Sequence, residues 1–246
     1  MSLTVKTLMA TGGVEEFYTL RGPEAVATDP YSGFNTCNYV GDAPEHVAQC
    51  RAELARTIAI GPERIFMPRQ THSAHVAVVG DEPAPDLDGV DALVSARPGV
   101  ALGIHTADCV PVVLCDPVAG VIGAAHSGWR GTEARIAALT VEAMASLGAD
   151  PGRIQAALGP HICADCFEVG TEVGDRFPGF ARFDPAKGKA YVDLAAAVRA
   201  TLVEARVPEG NILCQAPCSR CNPLTLCSAR ASGTASARTL TLILRR

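Results

Sequence analysis

The amino-acid sequence predicts an α/β (α+β) fold, with mixed β-sheets in layers covered by helices. Four apolar, β-branched runs follow one another between residues 88 and 129, and stretches with helical spacing lie on both sides of them. Nearly continuous apolar runs are typical of strands that are buried on both faces, so we place these four at the centre of the fold. The 246 residues, 48% of them hydrophobic, suffice for one large domain and are short for two. We therefore expect residues 1–246 to form a single domain.

The elements before the centre are short. The first 40 residues are punctuated by Gly and Pro and predict short strands and loops. Asp42 is predicted to cap a helix that ends at Gly61-Pro62. The apolar face of this helix has the spacing Val47, Cys50, Leu54, Ile58. Short strands are expected near Ile65–Met67 and in the segment HVAVV that follows.

The central strands are VDALVS, VALGIHT, VPVVLCD and AGVIGAAH. The segment TEARIAALTVEAMASLG predicts one helix, with Thr132 as its N-cap and Gly148 just after its end. IQAALGP is the next predicted strand, and a helix follows that begins near Asp193. NILCQA and TLTLILRR are expected to complete the sheet.

Composition excludes several classes of partner. A net charge of −5 and a pI near 5.7 disfavour nonspecific binding to nucleic acid. No window is long and apolar enough to predict a membrane span, and the segment MSLTVKTLMATGGVEEF does not resemble a secretory signal. We therefore expect a cytoplasmic protein, in which most of the ten cysteines are free thiols.

Three residues beside the central runs suggest a reactive site. His72, Cys109 and His126 each lie next to a predicted strand, and two imidazoles with one thiolate form a suitable ligand set for a zinc ion with an open fourth position. If only Cys109 and His126 met, the same residues would instead predict a thiol hydrolase, with Cys109 as the nucleophile and His126 as the base. Asp108 is a candidate partner for an imidazole, an acid–base group, or simply a turn-capping residue.

The segment HSGWRG after the fourth run is difficult to explain by packing. Its glycines free the backbone, Trp129 offers a stacking surface, and Arg130 offers a charged fork beside a helix start. Arg51, Arg230 and Arg238 are further candidates for binding an anion.

Two Cys-x-x-Cys pairs lie outside these motifs, at Cys163/Cys166 and Cys218/Cys221. They are compatible with a four-cysteine zinc site, although the gap between the pairs is longer than is usual for such sites. A redox-active dithiol and simple free thiols are the other two interpretations, and free thiols are the one we expect.

Together, QTH, TADC-P, HSGWRG, ALGP…C-FEVG and the C-terminal Cys and Arg segment resemble the YfiH-like family, known as polyphenol oxidase or laccase-domain proteins and as purine nucleoside phosphorylases. The resemblance runs from about Thr11 to the C-terminus. It implies one layered α/β domain, a zinc ion bound by His72, Cys109 and His126, and phosphorolysis of purine nucleosides including methylthioadenosine, together with deamination of adenosine. Some bacterial members of the family are described as peptidoglycan editing factors.

The chemistry of these reactions leads us to a hypothesis about which residues bind the purine nucleoside and phosphate. Arg51, Arg130 or Arg230 would hold the phosphate, and Trp129 or Phe167 would stack on the purine. Asp108 would move the proton that deamination requires. The oligomeric state is left open.

Ligand chemistry decides which metal is expected. A multicopper laccase requires a blue-copper site and a three-copper cluster, roughly ten histidines in all, whereas this chain has six. No Met lies beside the three motifs to act as an axial ligand to a single copper ion. We therefore expect zinc and disfavour copper and the polyphenol oxidase activity. A Cys-His thiol hydrolase or amidase and a non-enzymatic partner protein are the alternatives.

Overall fold

The computed structural model describes residues 3–80 and 85–246 of the chain. The strands are β1 Val5–Thr11, β2 Val14–Thr19, β3 Ile65–Phe66, β4 Val76–Val78, β5 Ala92–Ser95, β6 Val100–Thr106, β7 Val110–Asp116, β8 Val121–Ser127, β9 Gln155–Leu158, β10 Glu168–Gly170, β11 Ala181–Asp184, β12 Lys189–Val192, β13 Ile212–Leu213 and β14 Thr239–Arg245. The α-helices are α1 Pro44–Ile58, α2 Trp129–Glu133, α3 Ile136–Ser146, α4 Thr171–Gly174, α5 Leu194–Glu204 and α6 Ala229–Ser232.

These strands form two large mixed sheets and one small antiparallel sheet. The five-stranded sheet has the order β1-β2-β14-β6-β3, and the six-stranded sheet has the order β13-β9-β7-β8-β5-β4. The small sheet has the order β10-β12-β11. The predicted α+β class with layered mixed sheets is confirmed.

The alternation of side chains along the strands divides the core into layers. In β7, Val113 and Cys115 face the five-stranded sheet, while Val112 and Leu114 face the helices α3 and α5. In β14, Ile243 faces the six-stranded sheet. Its neighbours Leu240, Leu242 and Leu244 pack against α1. The order of layers is therefore helix, sheet, sheet, helices, which explains why the central runs are apolar on both faces.

Helix α1 buries the four predicted residues Val47, Cys50, Leu54 and Ile58. The predicted cap is wrong, because the N-cap position is occupied by Ala43 and the helix begins at Pro44. The Asp42 carboxylate accepts hydrogen bonds from the Ala43 N–H, the Asn35 amide and the His46 ring instead. Pro at the first helical position needs no N–H partner, so this helix begins without a side-chain cap.

The single helix predicted from Thr132 is also wrong. The chain forms the short helix α2, which begins three residues earlier at Trp129, and then breaks before α3. Arg135 lies at the break in a left-handed conformation with a φ of 61°. Thr132 is inside α2, where its hydroxyl donates to the Gly128 carbonyl at 2.9 Å. Gly148 follows the end of α3, as predicted, with a φ of 99°.

The predicted start of α5 is confirmed, because the Asp193 side chain accepts a hydrogen bond from the Ala196 N–H at 2.9 Å. The small sheet β10-β12-β11 and the short helices α4 and α6 were not predicted. The strands of this sheet have three or four residues and are largely half-buried or exposed. Their segments therefore lack the continuous apolar run from which a strand is predicted. In the part of the chain that the structure describes, no helix has both the length and the apolar character required to cross a bilayer.

Candidate metal centre

One edge of the six-stranded sheet brings the predicted site together. Cys109 immediately precedes β7, Asp91 immediately precedes β5, and His126 lies near the end of β8. Since β8 pairs antiparallel with both neighbours, His126 lies opposite Pro111 of β7, and Ala125 lies opposite Ala92 of β5. Antiparallel register thus places Cys109, Asp91 and His126 at the same edge of the sheet.

His72 reaches this edge from the loop between β3 and β4. Its φ of 63° is unusual for a residue with a β-carbon. The backbone is held there by the Asp91 carboxylate, which accepts hydrogen bonds from the N–H groups of Thr71, His72 and Ser73 at 2.9–3.0 Å. The loop is therefore fixed by one buried anion rather than by regular secondary structure.

His72, Cys109 and His126 each offer one ligand atom, and the three atoms lie within 4.8 Å of one another. The Cys109 Sγ and the His72 Nε2 are 3.8 Å apart. A tetrahedral zinc ion with ordinary Zn–S and Zn–N bonds separates such atoms by about 3.6 Å. The imidazole rings of His72 and His126 meet edge to face, with centroids 4.8 Å apart. The observed spacing fits a three-ligand metal site.

Asp91 also orients His126. Its Oδ1 lies 2.7 Å from the Nδ1 of His126, which leaves Nε2 free to act as a ligand, the arrangement usual for metal-binding histidines. Burial raises the pKa of Asp91, but the hydrogen bonds from His126 and from the backbone outweigh that effect and hold the pKa at about 2. Asp91 therefore stays ionised over the whole physiological range.

The charges of the site favour a thiolate at Cys109. Burial raises the pKa of this thiol, but the charge and hydrogen bonds of His126 and the hydrogen bond of His72 lower it to about 6. Burial lowers the pKa of His126, whereas Cys109 and Asp91 raise it to about 9. Near neutral pH, the site without a metal is therefore a thiolate beside an imidazolium. A bound cation would displace the His126 proton and be held by the thiolate and two neutral imidazoles.

Gly128 is required by the close approach of two ligands. A β-carbon at this position would lie 2.9 Å from the Cδ2 of His72 and 3.0 Å from the Sγ of Cys109, closer than van der Waals contact permits. The first glycine of the HSGWRG motif therefore creates space for the ligand set. Its φ of −70° is accessible to any residue.

The three ligands border a cavity of about 770 Å³, a volume typical of small-molecule sites. Aromatic side chains contribute one part of the lining, namely Tyr39, Trp129 and Phe167. Two arginines, Arg230 and Arg238, contribute another. In the described residues, neither arginine has a carboxylate within ion-pair distance. The cavity thus combines apolar surface, positive charge and a candidate metal site.

The substrate-binding residues predicted from sequence do not all reach this cavity. Trp129 and Arg230 line it, whereas Arg51 and Arg130 do not. Arg51 donates from Nε to the Thr36 carbonyl at 2.8 Å. Arg130 is exposed, and its guanidinium stacks on the Trp129 ring at 4.3 Å. Of the four residues, Trp129 and Arg230 are the two placed to touch a ligand in the cavity.

Asp108 lines the cavity in an unusual backbone conformation, with a φ of 92°. Its Oδ1 accepts from the Ser219 hydroxyl at 2.6 Å, and its Oδ2 accepts from the Arg230 N–H at 2.7 Å. The imidazole partner that we expected Asp108 to provide is Asp91 instead. Asp108 therefore links the Cys109 loop to two C-terminal segments.

Sequence reasoning missed His105 as a lining residue. It is buried in β6, and its Nε2 lies 2.8 Å from the Thr36 hydroxyl. Its Nδ1 has no hydrogen-bond partner among the described residues. Burial and the charges of Arg51 and Arg238 lower its pKa to about 3, so the ring is neutral. The only sequence signal was its position in the HTADC motif, four residues before Cys109.

The two Cys-x-x-Cys pairs also meet at this edge of the sheet. The Sγ atoms of Cys163, Cys166, Cys218 and Cys221 all lie within 4.8 Å of one another. Burial raises the pKa of Cys218, but hydrogen bonds from the backbone N–H groups of Cys163 and Cys221 outweigh it and lower the pKa to about 7. The structure describes all ten cysteines, and none of them forms a disulfide bond.

The family described as multi-copper polyphenol oxidoreductase laccase matches residues 17–246 of the chain. The chain belongs to the YfiH-like laccase family. The crystal structure of the hypothetical protein YfiH from Bacillus licheniformis superposes with a TM-score of 0.87 at 28% identity, over 95% of this chain and 93% of that one. The family resemblance and the fold predicted from sequence are both confirmed.

Relatives of this YfiH-like protein are named for two enzyme activities. It is 47% identical over 250 residues to adenosine deaminase RL5 from an unknown prokaryotic organism, with 95% of each chain covered. It is 43% identical over 197 residues to a purine nucleoside phosphorylase from Deinococcus radiodurans, over 79% of this chain and 76% of that one.

The histidines of this YfiH-like protein do not form the clusters of a multicopper enzyme. In the described residues, only His72 and His126 belong to a group that could hold a metal. His46 pairs with Asp42, and His161 lies 2.8 Å from the Gly159 carbonyl. In the part of the chain that the structure describes, the histidines therefore supply two ligands to one three-residue group.

Proposed function

We propose that this protein is a zinc-dependent enzyme that acts on purine nucleosides, with purine nucleoside phosphorylase, methylthioadenosine phosphorylase and adenosine deaminase activities. The names of its relatives support the substrate class. The observation that carries the proposal is the convergence of His72, Cys109 and His126 at the wall of a substrate-sized cavity. A cytoplasmic location is part of the proposal, because ten cysteines without a disulfide bond fit a reducing compartment.

The donor set favours zinc. One thiolate and two imidazoles suit zinc. No Met is among the described residues that line the cavity beside them, where a weak axial ligand of the blue-copper type would be expected. When bound at such a site, zinc acts as a Lewis acid and lowers the pKa of water to about 7. Asp91 holds the ring of His126 and the loop of His72 in place for the metal.

The cavity offers aromatic side chains for the purine base and arginine side chains for the phosphate. We assign stacking of the purine to Trp129 or Phe167, because both rings line the cavity. We assign the phosphate to Arg230, with Arg238 beside it, because both line the cavity and neither forms an ion pair with a carboxylate of the described residues. Arg51 and Arg130, which we also predicted as phosphate ligands, are less favoured because they lie outside the lining.

Deamination requires a group that moves a proton from water to the leaving ammonia. We propose Asp108 for this role. Its carboxylate lines the cavity, and each oxygen accepts one hydrogen bond, so a carboxylate still has free lone pairs. In Asp108→Asn, we expect adenosine deamination to fall by ~10²–10⁴-fold while the zinc content stays at the wild-type value. A loss of zinc in this variant would instead show that Asp108 positions Cys109.

The proposal is tested by product analysis with wild-type protein and His126→Ala. Incubation with inosine and phosphate is expected to release hypoxanthine, and incubation with adenosine is expected to yield inosine. His126→Ala should lose both activities together with the triad zinc. Cys214→Ser removes an exposed thiol outside the cavity lining and serves as the matched control. Absence of both products in the wild-type protein would overturn the proposal.

A thiol hydrolase remains the alternative function with a specific structural basis. Cys109, His126 and Asp91 form a continuous chain of nucleophile, base and orienting carboxylate. This function predicts that iodoacetamide inactivates the enzyme and that a chelator does not. The zinc-dependent function predicts inactivation by the chelator and recovery when zinc is added back.

A further inference from the structure

The four cysteines outside the candidate metal centre form a compact cluster between two loops. One loop follows β9 and contains Cys163 and Cys166; the other follows β13 and contains Cys218 and Cys221. Strands β9 and β13 are parallel neighbours, with Ile212 opposite Ala156. Because parallel strands end at the same edge of a sheet, the two Cys-x-x-Cys pairs meet although they are distant in sequence.

The distances within the cluster suit a single metal ion. All four Sγ atoms lie within 4.8 Å of one another, and those of Cys166 and Cys221 are 3.5 Å apart. A tetrahedral zinc ion with four Zn–S bonds of 2.3 Å separates its sulfur atoms by about 3.8 Å. The N–H of Cys163 also points to the Sγ of Cys218 at 3.3 Å, a contact that stabilises a thiolate.

The location of the cluster argues against the interpretation that its four cysteines are ordinary packing residues of the core. Cys50, Cys115 and Cys227 are fully buried members of the apolar core. The four clustered cysteines belong to none of the core clusters, and they are half-buried or exposed on loops. Four thiols gathered at the surface gain little from burial, so packing alone does not explain their convergence.

We propose that Cys163, Cys166, Cys218 and Cys221 bind a structural zinc ion that joins the two loops. Four thiolates in a closed tetrahedron are the typical ligand set of structural zinc. The second loop, residues 214–228, contains no helix or strand. A metal bond to the first loop gives this irregular segment a fixed anchor.

The anchored loops support the candidate metal centre. Ile162, beside Cys163, donates its N–H to the Asp108 carbonyl at 2.9 Å. Ser219, beside Cys218, donates its hydroxyl to the Asp108 carboxylate at 2.6 Å. Since Asp108 precedes Cys109, the proposed zinc fixes the backbone from which a ligand of the other site projects. It also fixes Phe167, which follows Cys166 and lines the cavity.

The experiment measures zinc per chain after purification with a reducing agent, incubation with excess zinc and removal of the unbound metal. The wild-type protein and Cys214→Ser are expected to hold about two zinc ions per chain, and Cys166→Ser/Cys221→Ser about one. His126→Ala should lose the other ion, so failure at one site is distinguished from failure at the other. Circular dichroism verifies that each variant is folded.

The wild-type protein provides a second test that does not depend on the variants. Native mass spectrometry should detect two bound zinc ions, and the four clustered thiols should react with N-ethylmaleimide only after the metal is chelated. Three results would overturn the proposal: a folded His126→Ala protein that holds no zinc ion, the same zinc content in Cys166→Ser/Cys221→Ser as in Cys214→Ser, or a mass deficit of two hydrogens per disulfide at these cysteines. Each result is independent of whether the protein acts on nucleosides.

Discussion

The carboxylate of Asp91 connects two of the three candidate metal ligands, His72 and His126. It binds the His126 ring and the backbone of the His72 loop, and it is completely buried. An aspartate at the start of a strand is indistinguishable by sequence from a turn-capping residue. Its function arises from the antiparallel register of β5 and β8, which no local pattern encodes.

We expect Asp91→Asn to weaken zinc binding at the triad by ~10–100-fold, because removal of such an outer partner disturbs the orientation of a ligand histidine. The measurement is a chelator competition that follows the zinc ion lost in His126→Ala. Asp88→Asn is the control, since the Asp88 carboxylate forms an exposed ion pair with Arg69. Equal zinc affinity in the two variants would contradict the positioning role of Asp91.

Gly128 provides a steric test of the same site. Gly128→Ala should abolish triad zinc binding without unfolding the protein, because the new methyl group would overlap His72 and Cys109. Gly210→Ala is the control, since a β-carbon there meets nothing within 4 Å. Zinc content by elemental analysis decides the outcome, and an alanine variant that retains triad zinc would show that the ligands do not approach as closely as the structure indicates.

At the scale of elements, the sequence indicated the buried strands and the helices α1 and α5 correctly, because apolar runs and helical spacing are local signals. The break at Arg135 was not visible, since arginine is ordinarily a good helix former. The small sheet was missed because its half-exposed strands lack an apolar face. The meeting of the two Cys-x-x-Cys pairs depends on the pairing of β9 with β13, which lies beyond the range of any local pattern.

The start of α5 permits a prediction at this scale. Asp193→Ala should lower the free energy of unfolding by about 1 kcal/mol, because the Ala196 N–H loses its side-chain acceptor. Asp193→Asn should lie within a few tenths of a kcal/mol of the wild-type protein, since asparagine also caps helices. Urea denaturation of the three proteins provides the comparison; similar destabilisation by both substitutions would assign the effect to charge rather than to capping.

For the whole molecule, Glu16 links stability to pH. It lies on β2, is 1% exposed, and neither of its carboxylate oxygens has a hydrogen-bond partner among the described residues. Burial raises its pKa to about 8, although contact with Cys115 lowers it slightly. The folded protein therefore holds a proton here that the unfolded chain releases at a lower pH, so stability falls as pH rises through this interval.

We expect the wild-type protein to lose on the order of 3 kcal/mol of stability relative to Glu16→Gln between pH 5.5 and pH 8. Glutamine does not titrate, so the difference between the two proteins isolates Glu16 from every other group. The measurement is urea denaturation at both pH values. A difference that is constant with pH would show that Glu16 is hydrated or paired in solution.

Strand β14 lies between β2 and β6 in the five-stranded sheet, with Thr241 opposite Tyr18 on one side and opposite Ile104 on the other. During synthesis, the N-terminal hairpin thus waits for a partner roughly 220 residues further along the chain, at least ~10 s at ribosomal rates. Until then the facing edges of β2 and β6 are unpaired, and such edges readily pair with other chains. The nascent protein is therefore most prone to aggregation before β14 emerges, and chaperone binding to this edge would protect it.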